Sequence, residues 1–190
     1  MIKFSKLLGL VFLIFSFSIF IPAQKKTAKN KNQSETPSDA SIFKKAINGI
    51  VKVETVCDDR TMSQGSGFII DDDLIVTNKH VVECGRVTIV KLLISEERYV
   101  VDHVYFHPEQ DLAILKTAKL HGKDNSLKFA PPNSVKVGNP VYVIGNPQGI
   151  EGFYSKGNIQ RLSNGFIYFD APLDHGSSGS PVLDQFGRVV

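Results

Sequence analysis

The stretch Ile50-Val51-Lys52-Val53-Glu54-Thr55-Val56 decides the fold. In an extended chain it puts Val51, Val53 and Thr55 on one face and Lys52, Glu54 and Val56 on the other, the two-residue period of a strand with one buried side. Further short runs rich in Val and Ile follow at residues 67–70, 74–77, 86–92, 99–106 and 112–116. After Pro131-Pro132 a second series occupies 141–145, 154–162, 166–170, 181–183 and 188–190. Asp71-Asp72-Asp73, Ser163-Asn164-Gly165 and Asp184-Gln185-Phe186-Gly187 supply turn chemistry between them. The pattern predicts an all-β protein of two packed barrels or sandwiches, with helix confined to the ends. One such end is residues 41–48, where Ser41 is a candidate cap and Ile42, Phe43, Ala46 and Ile47 share a helical face.

A chain of 190 residues with 42% hydrophobic and 22% charged side chains is globular, which excludes collagen, coiled-coil and low-complexity readings. Its net charge of +3 comes from the first 40 residues, where six lysines face only Glu35 and Asp39. The remainder carries 16 basic and 17 acidic side chains, so no basic stripe calls for nucleic acid.

Those first 40 residues read as an address and a tether. Lys3 and Lys6 precede an apolar and hydroxylic run over 7–21, and Pro22-Ala23 closes it. That order is a secretory signal over 1–23 with cleavage after Ala23. An uncleaved anchor is the alternative, because the run approaches the shortest bilayer span and Lys25 and Lys26 flank it. Both readings put the protein outside the cytoplasm, periplasmic or extracellular, with membrane contact only through an anchor. Residues 24–40 have almost nothing apolar to bury and read as a flexible polar linker. The two folded portions are then 41–130 and 131–190.

Three motifs carry chemistry. His175-Gly176-Ser177-Ser178-Gly179-Ser180-Pro181 surrounds serines with glycines, which permits a tight turn whose free N–H groups can face a developing negative charge. Thr77-Asn78-Lys79-His80-Val81-Val82 sets a histidine just past a strand. Asp111-Leu112-Ala113-Ile114-Leu115 sets a carboxylate at the head of another. Singly, each has a bland reading as a flexible turn, a loop histidine or a turn cap.

Together, and in this order, they resemble the chymotrypsin-like (trypsin-like) serine peptidases, most closely the bacterial HtrA/Deg type. Gly65-Ser66-Gly67-Phe68, Gly145-Asn146-Pro147-Gln148-Gly149 and Asp170-Ala171 extend the resemblance, which runs over residues 50–190. It implies two six-stranded Greek-key barrels, of which the second stops in its fifth strand at Val190. In relatives the missing strand supplies the backbone edge beside the nucleophile. The resemblance makes Ser178 the nucleophile, His80 the general base, Asp111 the group that fixes the imidazole tautomer, and the Gly176 and Ser178 N–H groups the oxyanion hole. It implies an exported endopeptidase that cuts polypeptides through an acyl-enzyme and needs no cofactor. A peptidase-fold protein, non-catalytic or truncated, that binds peptides without turnover is the alternative.

The resemblance puts Pro172, Leu173 and His175 at the substrate pocket. Pro172 and Leu173 bring no carboxylate to it, so small or medium aliphatic side chains fit better than Lys or Arg. Ser180-Pro181 departs from the usual HtrA pattern and looks more like the glutamyl-endopeptidase relatives. Cys57 and Cys84, the only cysteines, are a candidate disulfide flanking His80, with two buried thiols as the alternative. Such a link would contribute on the order of 3 kcal/mol. Asp102, His103 and His107 lie close in sequence, but no third strong ligand completes a metal set, and no metal is expected.

Overall fold

The computed structural model describes residues 37–120 and 125–190. The signal or anchor over 1–23 and most of the 24–40 linker lie outside the described residues. Among those described, no helix is long and apolar enough to cross a membrane.

Six strands form the first unit: β1 (Ile50–Cys57), β2 (Met62–Asp71), β3 (Leu74–Thr77), β4 (Gly85–Leu92), β5 (Arg98–Phe106) and β6 (Ala113–Thr117). They close into an antiparallel barrel in the order β1-β2-β3-β6-β5-β4. Closure leaves no open edge and needs local bends. Register shifts supply them at Val56/Cys57, Ile69/Asp71 and Val101/His103. Val51, Val53, Ile75, Val90 and Leu115, all fully buried, fill the interior.

The second unit is a four-stranded sheet in the order β10-β7-β8-β9, made of β7 (Pro140–Gly145), β8 (Phe153–Ser163), β9 (Phe166–Phe169) and β10 (Val182–Leu183). The run at 188–190 does not form a fifth strand; Val189 makes isolated bridges to Phe129 and Leu183. Asp184 shapes the turn ahead of it: its carboxylate accepts the N–H groups of Phe186 and Arg188 and pairs with the Arg188 guanidinium, and the chain returns beside β10, Asp184 N–H donating to Arg188 O and Val190 N–H to Val182 O.

Helix is not confined to the ends. A single turn, α2 (Lys79–Val82), interrupts the barrel between β3 and β4. The N-terminal helix α1 (Asp39–Ala46) starts two residues before the predicted cap, because Ser38 and not Ser41 accepts at its N-terminus. Tertiary contacts favour that start: Asp39 pairs with Lys156 of β8 at 2.8 Å and accepts from the Tyr142 hydroxyl of β7.

A second core joins the units. Ile42 and Ala46 of α1 pack with Ile50 and Phe68 of the barrel and with Tyr142, Ile144 and Leu183 of the sheet. The helix is therefore a wedge between the two units, and its removal exposes both. Ile42 is 1% exposed, so Ile42→Ala is expected to cost about 2–4 kcal/mol through lost transfer energy and a residual cavity. Urea unfolding of the variant and parent measures it, and a loss under about 0.5 kcal/mol would show that α1 is not part of the cooperative unit.

Candidate active site

The His80 turn is fixed from three sides. Val81 and Val82 are buried in the barrel core, which orients α2 and leaves the His80 side chain half exposed. Beyond the helix, Cys84 is disulfide-bonded to Cys57 at the end of β1. Beneath the turn lies Gly65. A Cβ there would meet Val81 Cγ2 at 2.7 Å and the Ser178 carbonyl at 3.0 Å, so a side chain at this position would push both away.

Asp111 sits in the loop just ahead of β6. The imidazole of His107 shapes that loop, its Nδ1 accepting the N–H groups of Glu109 and Gln110 at 3.2 and 3.0 Å. His103 instead stacks on Tyr105, so the two histidines serve separate local structures. Asp111 uses both carboxylate oxygens on His80: Oδ1 accepts the backbone N–H at 2.9 Å and Oδ2 lies 2.6 Å from ring Nδ1. Partial burial pushes the Asp111 pKa up, but the hydrogen bonds from the His80 backbone and ring outweigh it and hold the carboxyl below its ordinary value. With Nδ1 as donor to Asp111, the other ring nitrogen keeps a free lone pair.

The Ser178 turn is held by the barrel. Within it, Ser177 N–H donates to Asp174 O and Ser180 N–H to Ser177 O. Across the junction, Ser66 N–H of β2 donates to Ser178 O at 2.7 Å, and the Ser66 hydroxyl donates to Gly176 O at 2.8 Å. The Ser66 hydroxyl also accepts from the backbone and side-chain N–H groups of Asn146. On the far side, Gly179 N–H donates to Asn78 Oδ1 at 2.6 Å.

His175 O accepts from Gln148 N–H at 2.6 Å. Because C=O and N–H point in opposite directions across a trans peptide, this bond turns the Gly176 N–H away from Gln148. Among the described residues, neither the Gly176 nor the Ser178 N–H has a protein partner. In the same set, no hydrogen bond joins the Ser178 hydroxyl to the His80 ring, and such contacts commonly tighten only when substrate is bound.

A hollow of about 330 Å³ opens beside Ser178, lined also by Leu173, Asp174 and His175. Pro172 lies in an adjoining hollow with Ile150 and Phe153, and its carbonyl accepts from Ser155. Asp174 was not foreseen at the cavity. Its carboxylate is occupied, with one oxygen on the His175 N–H and the other on the Gln148 side chain. Ser66, Asn146 and Asn78 were also without a role in the sequence reading. Ser66 and Asn146 lay inside glycine-containing motifs and Asn78 beside His80, which was the only signal available.

The profile of the trypsin-like peptidase domain matches residues 65–190. A probable periplasmic serine endoprotease, DegP-like, of Brucella suis biovar 1 (strain 1330) is 34% identical over 141 residues, covering 70% of this chain and 27% of its own length. The chain thus spans about a quarter of that curated relative. The HtrA-type protease AlgW with tripeptide superposes with a TM-score of 0.70 at 25% identity, over 81% of this chain and 53% of that one. The active form of the Rv3671c protease from M. tuberculosis gives 0.69 at 25% identity, over 81% and 74%. With its closed six-stranded barrel, its partial second sheet and these relatives, the chain belongs to the trypsin-like peptidase family, as a chymotrypsin-like domain of the HtrA type.

Proposed function

We propose that this protein is an exported serine endopeptidase that hydrolyses polypeptides through an acyl-enzyme. The observation that carries the reading is the double hydrogen bond from His80 to Asp111, with the Ser178 turn locked to the strand that underlies the His80 helix. Asp111 holds the ring proton on Nδ1, leaving Nε2 as the base. Nε2 takes the Ser178 proton as Oγ attacks the scissile carbonyl carbon, and the carbonyl π pair moves onto oxygen. The Gly176 and Ser178 N–H groups receive that oxyanion. The protonated imidazole then gives its proton to the leaving amine as the C–N bond breaks. Water repeats the sequence on the ester, losing a proton to Nε2, and releases the acid product and free Ser178.

The side chain next to the scissile bond would enter the hollow beside Ser178. Leu173 gives that hollow an apolar wall, which suits neutral side chains of modest size, while the Asp174 carboxylate is tied to the His175 N–H and the Gln148 side chain. Export rests on the leader pattern and on the periplasmic description of the relatives.

A fluorophosphonate probe is expected to label the native protein and not Ser178→Ala. Binding of peptide with no acylation burst and no labelling would sink the reading in favour of a non-catalytic peptide binder. Asp111→Asn is expected to lower kcat about ten-thousandfold at neutral pH, because the amide cannot hold the same tautomer. Steady-state assays on a peptide substrate measure that loss.

The lowered Asp111 pKa also sets a pH dependence of stability. A carboxylate whose folded pKa lies below its unfolded value stabilises fully above the unfolded pKa, and that contribution is lost as pH falls through the folded pKa. The stability gap between parent and Asp111→Asn should therefore be widest above the ordinary value of 3.8 and shrink below it. Urea unfolding across that range tests this, and a constant gap would show that the carboxylate charge does not matter to the turn.

A further inference from the structure

We propose that Asn78 is a positioning residue for this reaction, whose amide spans from Asp111 to the nucleophile's turn and holds the two sides of the site at one spacing. The inference rests on the peptidase reading above. Asn78 occupies the N-cap position of α2, with φ −76° and ψ 146°. Asparagine is favoured at such a position because its oxygen can accept from the second or third helical N–H. Here the side chain makes no cap hydrogen bond. Instead Nδ2 donates to the backbone carbonyl of Asp111 at 2.6 Å, and Oδ1 accepts the Gly179 N–H at 2.6 Å.

The capping task has passed to Asp111, whose Oδ1 accepts the N–H of His80, the second residue of the helix. Asp111 can cap α2 from a distant loop only if its own backbone stays in place, and the Asn78 amide holds that backbone by its carbonyl. The two side chains thus brace each other. The Asn78 partners lie 33 and 101 positions away in the chain, so this one amide joins a barrel loop to the second unit. Its orientation is unambiguous: the donor end faces a carbonyl and the acceptor end an N–H, and a flipped amide would lose both bonds.

The far end of the bridge constrains Ser178. Gly179 has φ +83°, and a Cβ there would fall on Ser66 O, so the turn cannot carry a side chain at this point. Ser66 N–H holds the Ser178 carbonyl on one side while Asn78 holds the next N–H on the other. With the peptide after Ser178 clamped, the Ser178 Cα is held in place and only ψ and χ1 remain to aim its hydroxyl. A bridge that served stability alone would not need to join these particular groups.

The test compares the native protein with Asn78→Ala and Asn78→Ser. Serine can still cap α2 but is too short to span the gap, which separates helix capping from bridging. Folding is checked by circular dichroism and by thermal unfolding. Both variants are expected to lose about ten- to a hundredfold in kcat with KM within about twofold, as misplacement of reacting groups predicts. In an Asp111→Ala background, where the ring is no longer oriented, the same replacements should cost less than about threefold. The proposal is overturned if folded Asn78→Ser keeps kcat within about twofold of the parent, or if the loss is equal in both backgrounds. Fluorophosphonate labelling of the parent separates the two levels of failure: a labelled parent with fully active variants removes only the Asn78 role, whereas an unlabelled parent removes the peptidase reading and this role with it.

Discussion

The structure depends on a seam of buried polar groups where the closed barrel meets the second sheet, and Ser66 is its centre. Ser66 is fully buried, yet every polar atom it has is engaged: N–H to Ser178 O, C=O from the Thr77 hydroxyl, and a hydroxyl that serves Gly176 and Asn146. A satisfied neutral hydrogen bond adds only about 1 kcal/mol net, but an orphaned buried polar group costs about 1–3 kcal/mol. The weight of the seam therefore lies in what alternatives it forbids. Sliding one unit against the other would strand several buried donors and acceptors at once, so a single docked arrangement is selected. Hydrophobic contact across the same junction, from Ile50, Phe68 and Ile144, has no such directionality.

The period-two runs were legible because burial on one face of a strand writes itself into the sequence. What misled the reading were residues whose local chemistry is used for tertiary purposes. By composition β2 would begin at residue 67, after Gly65 and Ser66. It begins at Met62, because the glycine makes room for Val81 and the serine is the polar hub. Arg188-Val189-Val190 has strand composition, but its N–H groups go to three different places, Arg188 to the Asp184 carboxylate, Val189 to Lys128 O and Val190 to Val182 O. Ser38 and Ser41 offer nearly the same capping signal, and only the distant Lys156 and Tyr142 distinguish them.

The candidate site shows the same division. His80, Asp111 and Ser178 could be named because their short motifs are distinctive and fall in a known order. The residues that hold those motifs together could not, since their partners are far apart in the chain. Asn146 reaches Val51 O as well as Ser66, and Gln148 reaches both Asp174 and His175. No one-dimensional pattern encodes such pairs, and asparagine, serine and glutamine are ordinary loop residues everywhere else.

Exposure decides how Asp111 can work in the proposed reaction. The side chains of His80 and Asp111 are 50% and 52% exposed, so water and salt screen the pair. An exposed ion pair is worth about 0–1 kcal/mol, too little to supply the barrier reduction that a triad carboxylate is asked to give. Direction remains when magnitude is screened. One carboxylate oxygen on the backbone N–H and the other on Nδ1 define the ring plane relative to the helix, and α2 is itself pinned by Val81, Val82 and the Cys57–Cys84 bridge. In the proposed reaction the carboxylate would therefore act chiefly by orientation. A bound polypeptide that covered the pair would lower the local dielectric and add the electrostatic part only when it is useful, in the occupied site.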